Sequence, residues 1–63
     1  MTIWAIGSLN QPARCYVEAT SAMAVMEQME PNEEVAPVSV EQKMAGVVLK
    51  GNMTVELVEP TNG

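Results

Sequence analysis

Apolar and polar residues along this chain change period several times. Thr2-Ile3-Trp4-Ala5-Ile6 is a β-branched and aromatic run closed by Gly7-Ser8, which predicts a strand. Leu9-Asn10-Gln11-Pro12 reads as a connection, because Pro12 has no N–H for a ladder. Arg14-Cys15-Tyr16-Val17-Glu18 then alternates, with Cys15 and Val17 toward one side and Arg14, Tyr16 and Glu18 toward the other. That is the pattern of a half-buried antiparallel strand, and it predicts a hairpin with the first.

The period next becomes helical. Thr20 or Ser21 can cap a first turn, and Ala22, Val25, Met26 and Met29 recur on one face before Pro31 forbids continuation. The prediction is an amphipathic helix of about nine residues, with Met26 and Met29 in the core and Met23 on the flank. Glu27 and Glu30 lie near its C-terminal end, where the macrodipole disfavours negative charge, so the helix needs tertiary packing to persist.

Pro31-Asn32-Glu33-Glu34 reads as a loop. The segment 38–44 is ambiguous: Val38-Ser39-Val40-Glu41-Gln42-Lys43-Met44 nearly alternates, yet Ser39 and Gln42 also match a capping box ahead of Gly46. The strand is preferred, since six residues make a weak helix. Val47–Lys50 and Met53–Glu59 flank Gly51-Asn52, which predicts a tight hairpin with Val48 opposite Val55 and Lys50 opposite Met53. Pro60–Gly63 reads as a frayed tail. The expected fold is α+β: a small antiparallel sheet in the order ββαβββ with one short helix on one face, forming a single domain over 1–63.

Composition narrows the function. Folded domains of this length bury only about 60% of the surface their unfolded chain exposes, so they often depend on disulfides, metals or association. Here Cys15 is the one cysteine, and histidine and aspartate are absent, so the usual zinc ligand sets cannot be assembled. Trp4 and Tyr16 are the aromatic residues and phenylalanine is absent, leaving a core of Val, Met, Ile, Leu and Ala. Trp4 is assigned to that core and Tyr16 to the exposed face of its strand. Both types are enriched at interface hot spots, and on adjacent strands they could form a cross-strand pair.

A net charge of −5 argues against direct nucleic-acid binding, which needs clustered Lys and Arg, and against attraction to an anionic membrane. No segment approaches the ~20 apolar residues of a membrane span, and the first residues lack the basic start and apolar run of a secretory signal. The expected location is intracellular, in the cytoplasm.

Candidate chemistry is sparse. On a strand Arg14 and Cys15 point to opposite faces, so Arg14 cannot readily activate the thiol, and Cys15 is read as a small buried hydrophobe. The glutamates have no regular calcium-ligand spacing, and the isolated glycines form no phosphate-cradling loop. No cofactor, no metal and no catalytic role are expected. Glu27, Glu30, Glu33 and Glu34 nonetheless place half of the acidic residues within one short stretch. With the helix docked by its apolar stripe, they would form a compact negative patch suited to the basic or nucleic-acid-binding surface of a protein partner.

The leading expectation is therefore a non-enzymatic protein-binding module using Glu27, Glu30, Glu33, Glu34, Met23 and Tyr16. In size, charge and coarse α+β order the chain resembles the small acidic inhibitors that bacteriophages and other mobile elements make against host machinery. Two alternatives stand beside it. One is a self-assembling structural protein, a homodimer or larger, joined through sheet edges or Met-rich faces. The other is an accessory subunit of a larger enzyme.

Overall fold

The computed structural model describes residues 1–58. Its elements run β1 (Thr2–Ser8), β2 (Cys15–Ala19), α1 (Ala22–Met26), β3 (Glu33–Val38), α2 (Val40–Ala45), β4 (Val47–Gly51) and β5 (Thr54–Leu57). The fold is α+β with antiparallel pairing, as the sequence predicts. It holds two sheets rather than one: a three-stranded sheet ordered β2-β1-β3 and a β4-β5 hairpin.

The three-stranded sheet is the middle layer. Trp4 and Ile6 from β1, Ala19 from β2 and Val35 from β3 form one core with Val25 of α1, flanked by Cys15, Val17, Ala22 and Met29. Ala5, Ala36 and Val38 form a second core on the other face with Val47 and Leu49 of β4, flanked by Ile3, Ala13, Tyr16 and Val55. Because β1 is covered on both faces and paired on both sides, its interior reads as a continuous apolar run rather than an alternation. The Trp4 indole N–H, buried under α1, donates to the Ala19 carbonyl at 3.3 Å.

Four sequence expectations are corrected. Glu33–Val38 is a strand, although residues 31–34 read as a loop. Pro37 is tolerated because β3 is an edge strand.

Val40–Ala45 is a helix, not a strand. Ser39 Oγ accepts from Gln42 N–H at 3.0 Å and Gln42 Oε1 accepts from Ser39 N–H at 2.8 Å, a complete capping box. Gly46, at φ +88°, closes the helix with its N–H on the Gln42 carbonyl. No residue of α2 is buried, so these local bonds rather than packing select the helix.

The hairpin turn is Asn52-Met53, not Gly51-Asn52. Both central residues have positive φ, 55° and 60°, as a primed two-residue turn requires. The register therefore moves by one: Leu49 opposes Val55, Val48 opposes Glu56 and Gly51 opposes Thr54. This shift sets Val47, Leu49 and Val55 together on the side facing the central sheet.

Finally, α1 is shorter than expected and ends at Met26. The N-cap is Ser21, whose Oγ accepts from Ala24 N–H at 3.4 Å. Beyond Met26 the chain tightens, with Gln28 N–H on Val25 C=O and Met29 N–H on Met26 C=O. The predicted tail, Pro60–Gly63, lies outside the described residues, as does Glu59.

Candidate protein-binding surface

The segment behind α1 is pinned by one cross-sheet ion pair. Arg14, just before β2, sends Nε to Glu33 Oε2 at 2.7 Å and Nη2 to Glu33 Oε1 at 2.9 Å. Arg14 Nη2 also reaches the Gln28 carbonyl at 3.4 Å, satisfying an acceptor left free where the helix ends. Glu33 Oε1 accepts from Glu30 N–H at 2.8 Å, and Glu33 N–H returns a bond to Glu30 C=O at 3.1 Å. Asn32, at φ 72°, makes the reversal between them. The loop from Gln28 to Glu33 is thereby tied to both edges of the sheet.

The electrostatics follow from this geometry. The Glu33 side chain is only 7% exposed, and the Arg14 hydrogen bonds, joined by that from Glu30 N–H, lower its pKa from the ordinary 4.5 to about 2. Arg14 is correspondingly held in its charged form, chiefly by the Glu33 hydrogen bonds.

The proposed acidic patch thus loses two of its four members. Glu33 is turned inward and neutralised by Arg14. Glu34 is half-buried and, as the next residue along β3, points to the opposite face of the sheet. Glu27 and Glu30 remain exposed on the α1 side.

The methionines also divide differently from expectation. Met29 packs against the core beside Trp4 and Val25, as predicted. Met26, assigned to the core by periodicity, is 53% exposed, and Met23 is 74% exposed. Since α1 is only five residues long, Val25 with Ala22 suffices to seat it, and Met26 is left on the rim. Met23 and Met26 are neighbours one turn apart on α1, Glu27 is its C-cap, and Glu30 lies in the turn that follows. The outcome is an apolar ridge with an acidic end.

Tyr16 is not exposed either. It is half-buried against the second core, and its hydroxyl accepts a hydrogen bond from Val47 N–H at 3.2 Å, tying β2 to the hairpin. Trp4 and Tyr16 oppose Val17 and Ala5, respectively, so they lie on opposite faces and form no cross-strand pair. Cys15 is half-buried on the α1 side, packed against the core.

The other large apolar side chains left outside among the described residues are Met1 ahead of β1, Val40 and Met44 on α2, and Leu9, Met53, Leu57 and Val58 around the hairpin. Among the described residues there is no pocket, no group of three or more His, Cys, Asp or Glu arranged for a metal, and no helix long and apolar enough to cross a membrane. Comparison of the chain with protein-family models, curated proteins and solved structures finds no match.

Proposed function

We propose that the chain is a small, non-catalytic binding module that docks on another protein through α1 and the turn behind it. The observation that carries this reading is the α1 ridge: two adjacent exposed methionines, Met23 and Met26, continued by exposed Glu27 and Glu30. Methionine is flexible and polarizable, and adapts to irregular apolar surfaces. A carboxylate end favours a partner with basic groups beside an apolar patch, and speeds encounter with it. The ion pair supports the same use, because Arg14 and Glu33 hold the Gln28–Glu33 segment in place before any partner arrives.

The partner class is a cytoplasmic protein with a basic surface, such as one that ordinarily grips nucleic acid. Inhibition by occupying that surface is the mode of action we propose, as for the acidic inhibitors of mobile elements. The test compares proteins captured from a lysate by the wild-type chain and by a Met23→Gln/Met26→Gln/Glu27→Lys/Glu30→Lys variant with the same circular-dichroism spectrum. A partner retained by the wild type, released by moderate salt and lost by the variant supports the reading. Equal capture by both chains ends it.

A further inference from the structure

The direction of the main-chain groups along the central sheet follows from one residue. Pro37 stands opposite Trp4 and has no N–H, so that pair is not hydrogen-bonded and the main-chain groups of Trp4 point the other way, to Val17 on β2. The Glu33 N–H, on the same alternation as Pro37, agrees: it points away from β1 and donates to Glu30 C=O. Direction alternates from residue to residue, so Val17 bonds inward while Tyr16 and Glu18 present N–H and C=O along the outer edge of β2. Among the described residues, no main-chain bond to Tyr16 or Glu18 closes that edge.

The other edges offer less for such pairing. On β3, Glu33 N–H is consumed in its turn and Pro37 offers none, which leaves Val35 as its one outward residue with a free N–H. On β4, Asn10 N–H bonds Leu49 C=O, Ala13 N–H bonds Val47 C=O, and Leu49 N–H bonds Gln11 C=O, while Tyr16 takes Val47 N–H. On β5, Val58 N–H donates to Gly46 C=O, which leaves Val55 and Leu57 pointing out. Pairing two copies of β5 through those residues would set Glu56 against Glu56.

We propose that β2 pairs, antiparallel, with β2 of a second copy of this chain about a two-fold axis at Val17. In that register Tyr16 and Glu18 of each copy exchange both main-chain hydrogen bonds with Glu18 and Tyr16 of the other. Glu18 meets Tyr16 rather than its own kind, and half-buried Val17 packs on Val17 at the rim of the α1-side core. The strand carries no proline or lysine against such pairing, the devices that usually blunt an edge. This dimer is independent of the α1 ridge, and its salt response is opposite. Two copies of net charge −5 repel, so salt tightens the dimer, whereas salt weakens docking on a basic partner.

Sedimentation from low micromolar to near-millimolar concentration tests the pairing. The expected result is a mass that rises from monomer to dimer, with the rise moved to lower concentration by salt. Glu18→Pro removes an outward N–H without breaking a bond to β1, imitating Pro37 on the other edge. It should raise the dimer dissociation constant about tenfold or more, with the monomer still folded. A Cys15→Ser/Val17→Cys variant places opposed Cα atoms at about 4.5 Å, within reach of a disulfide, and should yield a linked dimer on air oxidation. A monomer mass throughout, or a dimer that Glu18→Pro does not weaken, overturns the proposal. If Glu18→Pro fails to fold, the cross-link decides, and its failure to form overturns the pairing.

Discussion

The Glu33 carboxylate serves two donors from different parts of the chain: the Arg14 guanidinium at 2.7 and 2.9 Å and the Glu30 N–H at 2.8 Å. One of the four glutamates between positions 27 and 34 is thus a structural group. Its folded pKa, about 2, lies below the ordinary 4.5, so the pair's contribution is complete above pH 4.5 and disappears as pH falls from there toward 2. Urea denaturation at neutral pH and at steps down to pH 2 should show this loss. Glu33→Gln should be less stable than wild type at neutral pH and should show a flatter profile below pH 4.5.

The second prediction concerns the α1 ridge. Met23→Gln and Met26→Gln should each change stability by no more than about 0.5 kcal/mol, as surface substitutions do. Val25→Ala, at a fully buried position of the same helix, should cost about 2 kcal/mol. Thermal melts of the three variants check the division. A large loss at Met26 would place it in the core after all.

A third prediction follows from Tyr16. In Tyr16→Phe the Val47 N–H, in a fully buried residue, loses its acceptor. A destabilisation of about 1–3 kcal/mol is expected in urea titrations. Amide exchange at Val47 should accelerate more than exchange at Leu49, which keeps its bond to Gln11.

The hairpin turn offers a stabilising change. Met53 occupies the left-handed region at φ 60°, which costs a β-carbon-bearing residue about 1–2 kcal/mol. Met53→Gly creates Asn-Gly, the favoured pair for this turn, and should raise stability by about 1 kcal/mol. An unchanged or lower melting temperature would show that the Met53 side chain contributes more than its backbone costs.

The legible parts of the fold were those decided by local pattern. The β1–β2 hairpin, the Ser21 cap and the existence of a terminal hairpin follow from alternation, capping chemistry and turn residues close in sequence. β3 was hidden because Glu33-Glu34, flanked by prolines, looks like loop until Arg14 arrives from across the sheet. Such a partner leaves no trace in local pattern. The α2 capping box is visible in Ser39 and Gln42, but a six-residue segment is too short for propensity alone to favour a helix over the near-alternation, and its local cap bonds decide. The same limit applied to the surface: periodicity placed Met26 with Val25, without knowing that α1 would stop there and leave it uncovered.

Because β1 is covered on both faces and flanked on both sides, it is the element that waits longest during synthesis. β2 follows it closely, but β3 begins only at Glu33 and the covering hairpin only at Val47. Until those segments leave the ribosome, Ile3-Trp4-Ala5-Ile6 is an uncharged, proline-free strand with one side unpaired, the composition that nucleates aggregation. Chains stalled or truncated before Val47 should therefore aggregate more readily than chains that carry the β4-β5 hairpin.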